Sequence, residues 1–541
     1  MSDSKEKYIL AIDHGTSGPK SAIISTNGNV IDWVFREVPL LLPEPGAAEQ
    51  NPDNWWNGFL EGAKEMLDKK PVPIEDIVGV CNTSQWSGTI PMDEHGNHLM
   101  NCMIWMDTRG AEQAQKFHDS FLNIGGYAIL KSLPFLKRTG GALSLSGKDP
   151  IEHIMWIKDH LSEIYEKTYK FLEPQDYMNY KLTGKIATSE ATIHCHWITD
   201  IRDINNIHYS KKLIKKLKLD INKFPEIKKT TDILGQITKE VQNKLGLNSD
   251  TKVIMGAPDL HSATIGSGAI RMYEGHFCIG TSDWLLCHVP YKKTSVATNM
   301  ASAPSGIPGK YMIINEQEIA GGTLSFLRDK ILYHKDELLQ EEQVPDVYKI
   351  FDKIVERTPP GANRLLFTPW LYGERAPIDD HTIRGGIYNL SLDSNREDLI
   401  RAVFEGVAFN VKWLLIAIEK FIKKWVEKEK PEQIQYGKII PELTIIGGGA
   451  NSKIWCQIFA DVMDRTIKQL KNPIQVNARG AAFIASAALG YIEWDDIPDL
   501  IEYENIFEPN PDNRKLYDNL FEEYKNIYKA MKKIYKRLNK H

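Results

Sequence analysis

Residues 8–20 read YILAIDHGTSGPK. Tyr8 to Asp13 is a short run, apolar until its last residue, which is the pattern of a buried strand. A polar, glycine-bearing turn follows from His14 to Gly18, and Ser21 to Ser25 returns as a second strand. Asn27-Gly28 offers two residues that tolerate positive φ, as a type I′ hairpin needs, so Val30 to Val38 reads as a third strand. The expected N-terminus is an antiparallel meander with a tight first corner. At that corner Gly15 lets backbone N–H groups approach an anion, and the hydroxyls of Thr16 and Ser17 add donors. An aspartate leading such a turn, Asp13, can hold Mg2+ directly or through water, and Lys20 stands just beyond, where it could meet a transferred phosphoryl. The G-x-x-x-x-G-K-[ST] spacing fails, so this is not a Walker A loop, and taken alone the turn is an ordinary hairpin.

Moving outward, Asn51-Pro52 supplies a cap and a first helical residue. Trp56, Phe59, Leu60, Ala63 and Leu67 then share one helical face. Ile77 to Cys81 is apolar enough for another strand, so strands and helices alternate as in α/β proteins. The second half repeats this grammar. Phe277 to Ile279 is a strand ending in Gly280-Thr281-Ser282, and Leu443 to Ile446 is a strand ending in Gly447-Gly448-Gly449. Residues 478–490 are rich in small side chains, as a closely packed helix would be. Residues 514–538 carry Leu516, Leu520, Tyr524, Ile527, Met531, Ile534 and Leu538 at helical spacing, a docking face rather than a membrane binder. No sequence repeat of about 20–50 residues is visible.

A chain of 541 residues is too long for one core, so two domains are expected, meeting near the polar cluster at 258–265. A net charge of −5 with interspersed signs excludes the basic stripe of a nucleic-acid binder. No apolar run approaches the ~20 residues that span a bilayer, and MSDSKEKY is no secretory leader. Six dispersed cysteines, none in C-x-x-C, read as reduced thiols of the cytosol.

Two strand-ending turns of small hydroxylic residues, one in each half, suit phosphates lying between domains. Gly447 to Asn451 suits a flat base or ribose held against backbone, but it is not a dinucleotide fingerprint. Asp259, after Gly256-Ala257-Pro258, could accept a proton from a hydroxyl, although spacing alone favours a helix cap. His194-Cys195-His196 has no partner pair at zinc spacing and is not read as a metal site. Trp86, Trp105 and Trp197 fit either a core or a sugar platform.

In this order the motifs resemble the FGGY carbohydrate kinases of the actin–hexokinase superfamily, over nearly the whole chain. Asp13 to Lys20 resembles the first phosphate loop, Ile104 to Arg109 (IWMDTR) the segment at the sugar site, Arg384 to Gly406 the second family signature and Ile446 to Asn451 the adenosine turn. The resemblance implies an α/β fold of two ribonuclease-H-like, actin-like ATPase domains around a central cleft. Residues 1–260 would carry the sugar site and first phosphate loop, and residues 261–541 would bind ATP. It implies Asp259 as catalytic base and Asp13 as the Mg2+ residue. Gly15, Thr16, Ser17, Lys20, Gly280, Thr281, Gly321, Gly448, Gly449 and Lys453 would surround ATP, and Gln85, Trp86, Trp105 and Asp259 the sugar. The expected partners are a small sugar or polyol and ATP, with a homodimer as the assembly left open, no nucleic acid and no membrane. The expected location is cytoplasmic.

Departures from the family pattern bear on the substrate. Trp86-Ser87 stands where glycerol kinases carry Arg-Glu and xylulokinases Met-His. His153 replaces a signature lysine, Leu260 replaces an amide after Asp259, and Asn389 replaces a glycine in a turn that asparagine tolerates. A ketopentose is the first expectation. Ribulose, gluconate or a polyol, and a non-catalytic actin-like ATP-binding switch, are the alternatives.

Overall fold

A computed structural model describes residues 6–124, 126–332 and 346–539; most of the polar start, residues 1–5, lies outside them. The first sheet is built from β1 (Tyr8–Gly15), β2 (Gly18–Ser25), β3 (Val30–Phe35), β4 (Ile77–Ser84), β5 (Ile233–Gln236) and β6 (Lys252–Ile254). Its order is β5-β6-β4-β1-β2-β3. β1, β2 and β3 form the expected antiparallel meander, while β4 lies parallel to β1, β6 parallel to β4, and β5 antiparallel to β6.

The meander's corners differ from the sequence reading. β1 runs on through Gly15 and β2 begins at Gly18, so only Thr16 and Ser17 form the first turn. Gly18 is irreplaceable there: its φ is +138°, and a Cβ would stand 1.9 Å from the Arg36 carbonyl oxygen. The second corner is not type I′, because Gly28 has positive φ (+87°) and Asn27 does not. The Gly28 N–H closes a four-residue turn on the Ser25 carbonyl at 2.9 Å while the Ser25 N–H donates to the Asn29 carbonyl at 2.9 Å, so the glycine sits in a bulge at the turn, and a second irregularity shifts the register between Ile23 and Ile24. β3 ends at Phe35, and Val38, expected within it, instead donates its N–H to the Ser17 carbonyl.

The second sheet contains β7 (Gly275–Ile279), β8 (Asp283–Val289), β9 (Thr294–Ser295), β10 (Met300–Pro304), β11 (Tyr311–Ile314), β12 (Glu442–Ile446), β13 (Thr466–Leu470) and β14 (Tyr503–Phe507). Its order is β9-β10-β11-β8-β7-β12-β13-β14. The run β11-β8-β7-β12-β13 repeats the order of β3-β2-β1-β4-β6, and each run ends on one further edge strand, β14 following β13 in the chain and β5 preceding β6. The directions match as well: two antiparallel pairs, two parallel pairs and a final antiparallel strand. The chain is thus a structural duplication that its sequence does not show.

Helix α1 (Pro52–Asp68) is capped by Asn51, whose side chain accepts the Asp53 N–H, and buries Trp56, Phe59, Leu60, Ala63 and Leu67. Leu10 and Ile12 of β1 face α1, while Ile9 and Ala11 face the opposite way, the alternation a strand imposes. That opposite layer lies between the sheets and holds α3 (Asp259–Gly266) and α6 (Val476–Ala488). The remaining labelled helices are α2 (Pro174–Thr183), α4 (Arg396–Glu429), α5 (Lys453–Met463) and α7 (Arg514–Leu538). α7 docks through Leu520, Tyr524 and Tyr535, with Leu516, Ile527 and Met531 alongside, whereas Ile534 and Leu538 are exposed. No helix among the described residues is long and apolar enough to cross a membrane. All six cysteines are buried and unpaired.

Candidate active site

Asp13 stands two residues before the end of β1 with its carboxylate 2% exposed, and its register partner on β2 is Lys20. The Lys20 ammonium donates to Asp13 Oδ2 at 2.8 Å. On the other side, Asn477 at the start of α6 brings its side-chain amide within 3.4 Å of Asp13 Oδ1. The third element is the start of α3. Gly256 (φ +74°) lets the chain pass so close to β4 that a Cβ would stand 2.2 Å from the Asn82 carbonyl oxygen. The chain then turns into α3 with Asp259 as its first residue.

Asp259 is not the cap, since Pro258 occupies that position. One of its oxygens accepts the Leu260 N–H at 2.7 Å. The other makes no hydrogen bond among the described residues. The walls around this partly exposed carboxylate raise its pKa to about 7, chiefly by desolvation. The Leu260 N–H opposes that rise, the negative charges of Asp13 and Glu316 add to it, and Lys20 works against it. The Lys20 ammonium is itself held above its usual pKa by Asp13 first, and also by Asp259. Asp13 and Lys20 of one hairpin and Asp259, far from them in sequence, therefore form one electrostatic unit.

In the second half, the turn at Gly280, Thr281 and Ser282 joins β7 to β8. The Gly321 N–H donates to the Gly280 carbonyl at 2.9 Å, and a Cβ on Gly321 would stand 2.5 Å from that oxygen. Gly321 thus lies beside this loop. Gly447 (φ +85°) ends β12, the parallel neighbour of β7, so both glycine turns sit at the same end of adjacent strands. Gly15 and Gly448 face open space, whereas Gly449 faces the Ile279 side chain. Lys453 is exposed at the start of α5 and reaches toward Glu504, 3.9 Å away.

Two of the residues expected around the sugar, Gln85 and Trp105, share a closed network with Thr16 and Gln50. The Trp105 indole N–H donates to the Thr16 hydroxyl at 2.9 Å. That hydroxyl donates to Gln85 Oε1 at 3.1 Å. The Gln85 amide donates to Gln50 at 2.8 Å, and Gln50 donates back to the Thr16 carbonyl at 2.7 Å. The Thr16 side chain is therefore committed to the aromatic segment. Trp86 donates its indole N–H to the Thr192 carbonyl at 2.7 Å and packs in a T-shaped contact with His261, 5.0 Å between centroids. Its only donor is used, so it has only a ring surface left to offer. Ser87, beside it, has a φ of +65°. His153 bridges Thr89 and the Asp107 carbonyl. Trp197 donates to Asp149, and Asn389 sits in the left-handed region at φ +68°.

Sequence reasoning missed a charged group opposite Asp259. Arg375 forms ion pairs with both Glu316 and Glu318. Glu316 acts on Asp259, and Arg375 acts on Asp149 and Lys148 from the first half. The signal was faint: two acids flanking Gln317, and Glu374-Arg375 more than fifty residues later, share no local spacing.

The models of the FGGY family of carbohydrate kinases match residues 8–266 for the N-terminal domain and 275–489 for the C-terminal domain. A xylulose kinase of Bacillus subtilis is 28% identical over 531 residues, covering 96% of each chain. A gluconokinase of the same organism is 24% identical over 95% of this chain and 94% of its own. The crystal structure of ligand-bound xylulose kinase from Lactobacillus acidophilus superposes with a TM-score of 0.83 at 24% identity, covering 98% of this chain and all of that one.

Proposed function

The chain belongs to the FGGY family of carbohydrate kinases, and we propose that it transfers the γ-phosphoryl of ATP to a hydroxyl of a ketopentose such as D-xylulose. The observation that carries the mechanism is the Asp259 carboxylate, raised to about 7 beside Lys20. A base with its pKa near neutrality is ionised often enough to act and still basic enough to take a hydroxyl proton. Asp259 accepts that proton as the hydroxyl attacks in line. Lys20 and the open backbone at Gly15, Gly280 and Gly448 meet the phosphates, where positioning and charge stabilisation do most of the work. Closure of the two domains excludes water that would otherwise compete with the sugar.

Asp13 is the residue that would hold Mg2+. The fit rests on its donor chemistry: a buried, hard carboxylate at the loop mouth, whose present partners are the cation Lys20 and the amide of Asn477. Mg2+ bound there would neutralise charge on the phosphates. Gln85, Trp86 and Trp105 form the sugar wall in this reading. Thr281, Gly321 and Gly449 shape the nucleotide loops, Ser17 adds a donor, and Lys453 stands at the rim. A division into residues 1–260 and 261–541 belongs to the same proposal, and the parting of the family matches between 266 and 275 supports a junction in this region. Six unpaired cysteines support a reducing, cytoplasmic setting. The xylulose kinase relatives favour the ketopentose, and gluconate is the second reading because a gluconokinase also matches over nearly the full length.

The test is a phosphorylation screen with purified protein over ketopentoses, aldonates and polyols. D-xylulose or another ketopentose is expected to give the highest kcat/KM. Preference for gluconate or glycerol overturns the substrate assignment, and ATP turnover indifferent to every sugar overturns the kinase mechanism.

A further inference from the structure

The adjacent pair Cys195-His196 lacks a zinc partner in sequence but finds one in space. Glu173, at the N-cap of α2, sets its Oε1 3.1 Å from Cys195 Sγ and 3.0 Å from His196 Nε2. The three ligand atoms all lie within 4.8 Å of one another, and all three residues are buried. From this convergence we infer that Glu173, Cys195 and His196 form a structural zinc site in the first half of the chain, outside the catalytic residues.

Charge supports the assignment independently of the distances. Glu173 and Asp176 are two buried carboxyl groups joined in one capping box. Among the described residues, neither has a lysine or arginine within ion-pair distance. The nearby imidazole of His196 is buried, and burial favours its neutral form. A divalent ion bound by one thiolate, one carboxylate and one neutral imidazole leaves no net charge, which is the state a dry interior tolerates best. Binding releases the Cys195 thiol proton, and any proton on Glu173, to solvent. A mixed sulfur, nitrogen and oxygen set is borderline-soft and suits Zn2+ over Mg2+ or Ca2+. The Ser87 hydroxyl also meets the Cys195 sulfur and is a candidate fourth donor.

The location gives the ion a task. Glu173 Oε2 accepts the Gly88 N–H at 2.8 Å, and the turn bearing Cys195 and His196 also carries Thr192, whose carbonyl holds Trp86. A zinc ion there ties together the two segments that fix Trp86.

The test uses untagged full-length protein stripped with a chelator and dialysed free of it. Titration with Zn2+ is expected to load one equivalent per chain and to raise Tm. Titration with Co2+ is expected to give a thiolate-to-cobalt charge-transfer band, which reports sulfur ligation in the wild type without any variant. Cys195→Ser should lose that band, and His196→Gln should weaken zinc binding at least tenfold. Absence of both stoichiometric zinc and the cobalt band in folded wild-type protein overturns the site. So does a folded Cys195→Ser variant that binds zinc as tightly as the wild type. Either result would leave the three residues as a hydrogen-bonded node.

Discussion

The carbonyl oxygen of Ser262 lies 1.8 Å from where a Cβ on Gly480 would stand. The counterpart is Gly266, whose Cβ would stand 2.0 Å from the Val476 carbonyl oxygen. Helices α3 and α6 therefore touch backbone to backbone between the two sheets. One delivers Asp259 and the other Asn477 to the neighbourhood of Asp13. Gly480→Ala must push these helices apart, since neither contact is with a flexible side chain. It is expected to cost about 1–3 kcal/mol, the usual range for overpacking, and to lower kcat as well. Calorimetry and steady-state kinetics check both, and unchanged Tm and kcat would contradict the close crossing.

The Asp259 pKa of about 7 sets a pH profile. Below that value the base is protonated, so kcat/KM should fall by about tenfold per pH unit on the acid side. Asp259→Asn should reduce kcat by about 10²–10⁴ and abolish this limb while ATP still binds. The linkage runs opposite to activity. A carboxyl whose folded pKa is raised contributes stability at low pH that is lost as pH rises through about 7. Asp259→Asn should therefore raise Tm relative to wild type more at pH 8.5 than at pH 5.5. Equal shifts at both pH values would show that the carboxyl is not strained.

Lys20 pulls the Asp259 pKa down. Lys20→Met should then move the acid limb of the rate profile to higher pH, besides slowing turnover through loss of a phosphate contact. A slower enzyme with an unmoved limb would mean that Lys20 does not sense Asp259.

Trp86 has spent its N–H on Thr192. Trp86→Phe keeps an aromatic face but leaves that carbonyl unpaired, a loss of about 1–3 kcal/mol of stability. Trp86→Ala should in addition lower kcat/KM for the sugar while KM for ATP stays nearly constant. Lost stability with sugar preference intact would place Trp86 in the core alone.

The elements legible in the sequence were those set by neighbouring residues. The apolar run at Tyr8 to Ile12, the Asn51-Pro52 start of α1 and the left-handed position at Asn389 each follow from local sterics or pairing, so a few residues suffice to specify them. The glycine turns were legible for the same reason, and their order along the chain identified the family. Local reading failed where a distant strand or carbonyl decided the outcome, as at the second corner, where Gly28 sits in a bulge. Only the tertiary structure revealed the duplicated sheet, because strand order is fixed by packing and leaves no repeat in the sequence. It alone committed the Thr16 hydroxyl to Gln85 and brought Glu316, which is paired with Arg375, to bear on Asp259. It alone supplied Glu173 to Cys195 and His196. The Asp259 pKa belongs to the same class: desolvation and Coulomb interaction depend on what surrounds a group in space, and the groups around Asp259 come from distant parts of the chain.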